Sequence, residues 1–387
     1  MLVLNSYFDK KEKKYCNGCG TCALRCPKGA ITMVEDSEGF LYPVINESKC
    51  IHCGLCKKVC SNNPTCENIV DSYIAINNNK EVLSKSSSGG MFSVIADYVI
   101  EKGGIVYGVT YNEKLDVVHD HVEKKEELKK FQYSKYVRSD LKNSYVEIEK
   151  FLKENRYVLF TGTPCQCAGL RLYLKKDYDK LITCEIICHS NASPKIFNMY
   201  KKNVELTFGS KIKQIIFRYK KYGWHGGNTY AILEDGREIE IPEFTNAFLD
   251  SLISRPSCHN CKFCTIKRYS DFTIGDFWGI EKVDKSVKDD NTGISLLCVN
   301  TDKGKKIFEY FKKNIFYKKV DTKLAFSNNH HENVPFHSKR QKFFDEVNNG
   351  TINESNIAVS INNYLKRPLY KRVLSKCKKI LKRIISN

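Results

Sequence analysis

From Asp71 onward the apolar positions repeat with alternating helical and strand periods. Ser72–Ile76 reads as a short strand, and Met91–Ile100 carries apolar residues at helical spacing before Gly103–Gly104 stops it. Ile105–Tyr111 and Leu115–Val122 alternate as a hairpin, and a helix runs from about Asn143 to Glu154. The continuous apolar run Tyr157–Phe160 predicts a buried strand, followed by a helix through Leu174, a strand over Leu181–Cys188 and a helix opening at Ser193–Pro194. Strand, helix, strand, helix in this order predicts a parallel sheet, whose ligands sit beyond the carboxyl ends of the strands.

The pattern turns strand-rich at Lys213–Tyr219, Thr229–Leu233 and Glu238–Ile241, with Asp235–Gly236 as a hairpin turn. A helix near Phe244–Ser254, a strand from Asp271 towards Gly279, and strand, basic helix and strand over 294–320 complete the body. Ahead of it, Ile31 to Val44 predicts a hairpin turning at Glu38–Gly39. The expected fold is therefore mixed, α+β with α/β, in four parts: a small N-terminal module over 1–66, body regions over 67–205 and 206–348, and a basic tail over 349–387.

Composition changes this picture in two ways. No apolar run approaches the ~18 residues that span a bilayer, and MLVLNSYFDKKEKK is too polar for a signal peptide, so the chain is expected in the cytoplasm. The formal charge of +19 is unevenly placed: nine Lys or Arg and no acid lie between Leu365 and Asn387. Leu365–Ile385 fits a basic amphipathic helix that rests on an anionic membrane face or an acidic partner, or alternatively a terminal helix with a solvated basic face. No nucleic-acid module accompanies the charge.

Eighteen cysteines in a chain expected in a reducing compartment point to metal or redox chemistry. Cys16, Cys19, Cys22 and Cys26 are followed by Pro27, and Cys50, Cys53, Cys56 and Cys60 repeat the spacing. Both runs read C-x2-C-x2-C-x3-C, the ligand spacing of two-cluster ferredoxins, in which the fourth cysteine serves the other cluster. The expected sets are Cys16, Cys19, Cys22 and Cys60, and Cys50, Cys53, Cys56 and Cys26. Zinc sites usually take ligands as two pairs, so iron–sulfur is the reading retained. Cys66 falls outside the pattern and Cys298 reads as core. Cys258, Cys261 and Cys264 give C-x2-C-x2-C without a fourth member, which must come from elsewhere in the chain.

Two loops carry further chemistry. Ser87, Ser88, Gly89 and Gly90 open the Met91 helix, an arrangement that offers backbone amides to a phosphate or serves as a plain cap. Gly162-Thr163-Pro164-Cys165-Gln166 follows a buried strand and places Cys165 near a helix N-terminus, where a thiol becomes a better ligand or nucleophile. Cys188-His189 ends the next strand.

Taken in order, Ser87–Phe92, Lys135–Ser139, Gly162–Gln166, Cys188-His189 through Ser193-Pro194, Arg255-Pro256 with Cys258, Cys261 and Cys264, and Ile274–Gly279 resemble the beta-subunit family of coenzyme F-420 (deazaflavin) hydrogenases and dehydrogenases. The resemblance covers about residues 1–320, with the ferredoxin-like unit as an N-terminal extension. It implies an iron–sulfur flavoprotein that binds FAD and 4Fe-4S clusters. Ser88, Gly89 and Gly90 would cradle the FAD pyrophosphate, with Ser87, Lys135, Ser139, Gly162, Thr163 and Gln166 as further flavin-site residues. Cys258, Cys261 and Cys264 would hold a third cluster with Cys165 or Cys188, the latter preferred.

The expected activity is oxidoreduction: electrons enter from a ferredoxin-like donor, collect as a pair on FAD and pass to an organic acceptor, with His189 as proton donor. One-electron carriers on one side and a two-electron carrier on the other is the reason to combine the two cofactors. Similar bacterial proteins occur among genes for surface polysaccharides, which suggests that class of acceptor. The alternative is an electron-relay subunit that docks on a catalytic partner and has no substrate of its own.

Overall fold

The computed structural model describes residues 6–61, 71–329 and 331–366. Strands β1 (Ile31–Glu35) and β2 (Leu41–Ile45) pair antiparallel, Ile31 opposite Ile45. Their turn is built by Asp36, whose carboxylate accepts from the amides of Glu38 at 3.1 Å and Phe40 at 2.9 Å. Gly39 sits at φ 86°, and a Cβ there would run into Lys195 of the body.

The body is built on an eight-stranded mixed sheet of β3 (Asp71–Asn77), β4 (Ile105–Tyr111), β5 (Val117–Val122), β6 (Val158–Gly162), β7 (Leu181–Ile186), β11 (Phe272–Asp276), β12 (Ser295–Val299) and β13 (Ile315–Val320). Their spatial order is β13-β3-β12-β11-β7-β6-β4-β5. Strands β4, β6, β7 and β11 run parallel, as the strand–helix alternation predicts. The outer pairs are antiparallel. A separate sheet of β8 (Ile212–Tyr219), β9 (Asn228–Leu233) and β10 (Glu238–Glu240) forms the predicted meander.

Burial explains the strand sequences. Val158, Leu159 and Phe160 are fully enclosed, because helices Met91–Glu101, Ser144–Lys153 and Pro164–Leu174 cover the two faces of the sheet. A strand covered on both faces reads as a continuous apolar run. His119, on β5, lies in the same interior. Its Nε2 pairs with the Thr161 carbonyl at 3.0 Å, its Nδ1 has no partner, and its ring stacks on Phe160. Burial holds its pKa down to about 4 against an ordinary 6.5.

Between those two pH values the unfolded chain takes up a proton that the folded chain refuses, so stability falls as pH drops through the window. The expected loss is up to about 3 kcal/mol. Urea unfolding at pH 7 and pH 5 should show it in the native protein, and His119→Gln should flatten the dependence.

The N-terminal module is pinned to the body by groups far away in sequence. Arg340 reaches Glu38 with both terminal nitrogens, at 3.0 and 2.6 Å, and both side chains are buried. Ser193 Oγ donates to the Glu38 carbonyl at 2.6 Å, and Thr21 Oγ1 donates to the Gly169 carbonyl at 2.9 Å. A Cβ on Gly169 would lie 2.9 Å from the Cys19 Cβ, so the helix approaches the cysteine loop as closely as a glycine permits.

The stretch expected to be tail begins with a helix on the body: Ile357–Leu365 buries Ile357 and Ile361 in the cluster that holds Phe343 and Phe344 of helix Arg340–Asn348 with Phe197 and Phe244. Ile357 and Ile361 are one turn apart, a local apolar signal that the charge of the following residues outweighed. The expected amphipathic helix lies, beyond Lys366, outside the described residues, as does Cys66. Among the described residues no helix is long and apolar enough to cross a membrane.

Candidate metal centres

The first cysteine set is brought together as the spacing requires. Burial pushes the Cys22 thiol up, with further upward contributions from Cys19, Cys16 and Cys60, so these four sulfurs share one neighbourhood. The Gly18 amide points at Cys16 Sγ at 3.4 Å, and Ser61 Oγ donates to Cys19 Sγ at 3.4 Å. Two short helices, Thr21–Leu24 and Leu55–Lys58, follow left-handed glycines Gly20 and Gly54 and turn the middle cysteines inward. In the second set, burial and, to a smaller extent, Cys53 and Cys50 raise Cys56, and the Ala30 amide donates to Cys26 Sγ at 3.2 Å. Cys53 is exposed, flanked by exposed Ile51 and His52. The two sets therefore differ in access: one is packed against the body and the other faces solvent.

In the body, five cysteines line one cavity. Cys165, Cys188, Cys258, Cys261 and Cys264 surround it, together with Asn17, His189, Asn191 and Arg268. Their positions follow from the strand ends. Strand β6 terminates at Gly162, and a capping box between Thr163 and Gln166 starts the next helix with Pro164 in its first turn. Cys165 follows immediately. Strand β7 ends at Ile186, and the Ile187 amide still pairs with the Ile274 carbonyl of β11 at 2.8 Å, which fixes Cys188 one residue further. The Pro256–Asn260 turn brings in Cys258, whose sulfur accepts from the Asn191 amide at 3.3 Å. The cavity thus lies at the carboxyl ends of parallel strands, where the topology places ligands.

Every described cysteine is free of disulfides. Cys188 is raised well above its ordinary pKa by burial and then by Cys258, Cys165, Cys261 and Cys264. Burial likewise lifts Cys258, Cys261 and Cys264. Crowded buried thiols resist ionisation unless a metal supplies positive charge, and a coordinated thiol is deprotonated outright. Arg268 adds a second sign of a missing anionic group. Among the described residues its Nε and Nη2 are buried without partners, while Nη1 lies 3.5 Å from Glu185. The donor set therefore suits a thiolate-held cluster of net negative charge. Cys264 sits at the rim, its sulfur 2.9 Å from the Glu332 carbonyl. Cys298, read as core, is fully buried in β12.

The flavin candidates divide into two groups. Ser139, Thr163 and Gln166 are linked: Gln166 Nε2 donates to Ser139 Oγ at 2.9 Å, and its Oε1 accepts from the Thr163 amide at 2.9 Å. Gly162 packs on Gln166. The second group is the Ser87–Gly90 loop, joined to the Lys135 segment by a 3.0 Å contact between Ser87 Oγ and Ser134 Oγ. Here much of the polar capacity is used internally. Ser88 Oγ donates to the Ile294 carbonyl at 2.9 Å and the Gly89 amide to Ser295 Oγ at 2.8 Å. A Cβ on Gly89 would lie 2.5 Å from the Ala75 carbonyl oxygen, so strand packing alone demands glycine there. What fits a phosphate is the first turn of the Met91–Glu101 helix, whose N-cap Gly90 has no capping side chain. Lys135 is tied to three carbonyls, of Lys130, Gln132 and Tyr133, and burial lowers its pKa to about 7. His189 lies on the cavity wall with its ring against Phe248 and its Nε2 3.5 Å from Ser251 Oγ.

Sequence reasoning missed Asn17, Asn191, Arg138, Arg255 and Arg268 as parts of this region. Arg138 and Arg255 lie inside conspicuous motifs, but their contacts span more than a hundred residues.

The cysteine spacing and the matches to two family models suggest an iron–sulfur electron-transfer subunit. Residues 15–63 match the family model of the 4Fe-4S dicluster domain, and residues 155–323 match the model described as the C terminus of the coenzyme F420 hydrogenase/dehydrogenase beta subunit. Two stretches of the chain are thus similar to a dicluster domain and to the C-terminal domain of that beta-subunit family. Among solved structures, a chain of the F420-reducing NiFe hydrogenase complex from Methanosarcina barkeri is 19% identical with a TM-score of 0.45, over 74% of this chain and 91% of that one. No curated protein matches.

Proposed function

We propose that the protein is an iron–sulfur flavoprotein oxidoreductase that takes electrons from a ferredoxin-like donor and delivers them to an organic acceptor. The observation that carries this reading is the cavity of five thiols at the carboxyl ends of β6 and β7, with the dicluster domain packed beside it. When bound, the clusters supply one-electron transfer and FAD supplies two-electron chemistry.

In this reading, Cys16, Cys19, Cys22 and Cys60 hold the inner N-terminal cluster, and Cys50, Cys53, Cys56 and Cys26 hold the outer one. Cys258, Cys261, Cys264 and Cys188 hold a third, with Cys165 as an adjacent thiol. The amides at the start of the Met91 helix bind the flavin phosphates, and the Ser139–Thr163–Gln166 group lies towards the ring. His189 supplies a proton at the acceptor. The exposed face around Ile51–Cys53 receives the donor protein, and building blocks of surface polysaccharides are the first acceptors to try. Residues beyond Lys366 serve a membrane-surface contact.

Anaerobic purification with iron, sulfide and flavin analysis tests the proposal. About twelve irons and one FAD per chain are expected, from three four-iron cubes. Eight irons without flavin would overturn it.

A further inference from the structure

Among the described residues four arginines are almost wholly buried: Arg138, Arg255, Arg268 and Arg340. Two of them face carboxylates, Arg340 with Glu38 and Arg268 with Glu185. The other two do not. Among the described residues, Arg138 and Arg255 find backbone carbonyls, the thiols of Cys165 and Cys16, and aromatic rings, and no carboxylate within ion-pair distance. A buried cation without an anion is costly by several kcal/mol, so such a pair calls for a negative group nearby.

Their location identifies it. Arg138 Nη2 donates to the Gly18 carbonyl at 2.9 Å, inside the first C-x2-C loop, and its Nη1 lies 3.7 Å from Cys165 Sγ on the body cavity. The Gly18 amide in turn points at Cys16 Sγ. Arg255 starts from the opposite side. Its own carbonyl accepts from the Cys258 amide at 2.9 Å, while its Nε donates to the Cys16 carbonyl at 2.8 Å. Its guanidinium lies over Tyr42, 4.3 Å from the ring centre, and a Cβ on Gly18 would come within 2.9 Å of Nη1. The Arg138 guanidinium therefore touches the inner N-terminal cysteine loop with one nitrogen and a cavity cysteine with another, while the Arg255 guanidinium faces the N-terminal set from a backbone that leads directly into Cys258. Asn17, adjacent to Cys16, completes the partition as part of the cavity wall.

We propose that Arg138 and Arg255 form a buried cationic partition that raises the reduction potentials of the inner N-terminal cluster and the body cluster, so that electrons arriving at the solvent-facing cluster are drawn inward. A fixed positive charge stabilises the more negative, reduced form, and in a dry interior it does so with little screening. The two are positioning residues that act through the clusters. The part concerning the body cluster rests on the proposed function; the part concerning the inner cluster rests only on the dicluster domain.

The test is a redox titration followed by EPR on the full-length protein purified anaerobically, as wild type, Arg138→Gln and Arg138→Lys. Arg138→Gln should lower the inner-cluster midpoint by at least a tenfold change in the reduced-to-oxidised ratio, 59 mV for a one-electron couple. The midpoint of the outer, Cys50-side cluster should stay fixed. Arg138→Lys, which keeps the charge, should recover most of the shift. Unchanged midpoints in Arg138→Gln at wild-type iron content would overturn the proposal. So would loss of iron in both variants, which would assign Arg138 to packing. If the wild type carries eight irons, the third cluster of the proposed function fails, yet the inner-cluster shift still decides the role of Arg138.

Discussion

Replacing Cys188 with alanine is expected to remove a third of the iron, leaving about eight of about twelve atoms per chain, while the dicluster EPR signals persist. The expectation follows from where the sulfur lies. Cys188 lines the cavity with the other four cysteines, two residues past the end of β7, and burial and then those neighbours hold its thiol well above its ordinary pKa. Loss of one thiolate from a four-cysteine cube labilises its iron. Cys165 lies instead against Thr163 Oγ1 at 3.2 Å and Arg138 Nη1 at 3.7 Å. Cys165→Ala should accordingly retain its iron. Iron and sulfide analysis of the two variants decides the matter, and the opposite pattern would exchange their roles.

Cutting the Glu38–Arg340 pair should produce the largest loss of stability. The two side chains make a bidentate contact in which the exposed fractions are only 8% and 2%. Arg340→Met leaves Glu38 as a buried carboxylate without its partner, and breaking a buried pair in this way costs about 3–5 kcal/mol. Arg340 also donates from Nε to the Ser254 carbonyl at 2.8 Å and lies over Phe344, so the damage reaches the C-terminal helices. Urea unfolding under anaerobic conditions measures the loss. The double variant Glu38→Gln with Arg340→Met should be less destabilised than Arg340→Met alone, because no bare charge remains. Equal destabilisation of the two would show that packing, and not the ion pair, holds the module in place.

The two contacts also mark how far the sequence could be read. Cysteine runs are local: eight candidate ligand positions follow from spacing, and the hairpin between them appears at Ile31–Glu35 and Leu41–Ile45, within a residue or two of expectation. The parallel centre of the sheet was legible because β6 and β7 are covered on both faces and therefore continuously apolar. The place of β3 between β12 and β13 was not, since it depends on strand pairings across more than two hundred residues. The cavity was half legible. Cys165 and Cys188 stood out at strand ends, and the three-cysteine motif announced a missing ligand. Nothing local, however, distinguishes Arg138 or Arg340 from the many solvated basic residues of this chain. A buried charge is recognised by what surrounds it, and those surroundings come from distant segments. The glycines of the Ser87–Gly90 loop show the converse: a phosphate-loop pattern that strand packing explains at Gly89.

The close seating of the dicluster domain bears on how the molecule is made. Gly18, Cys16 and Cys19 are clamped by Arg138, Arg255 and Gly169, which arrive 120 to 239 residues later in synthesis. Cys16 and Cys258 are already buried in the finished fold. Cys53 by contrast is exposed. Iron and sulfide added to the folded, empty chain are therefore expected to reach the Cys50–Cys56 set before the set of Cys16.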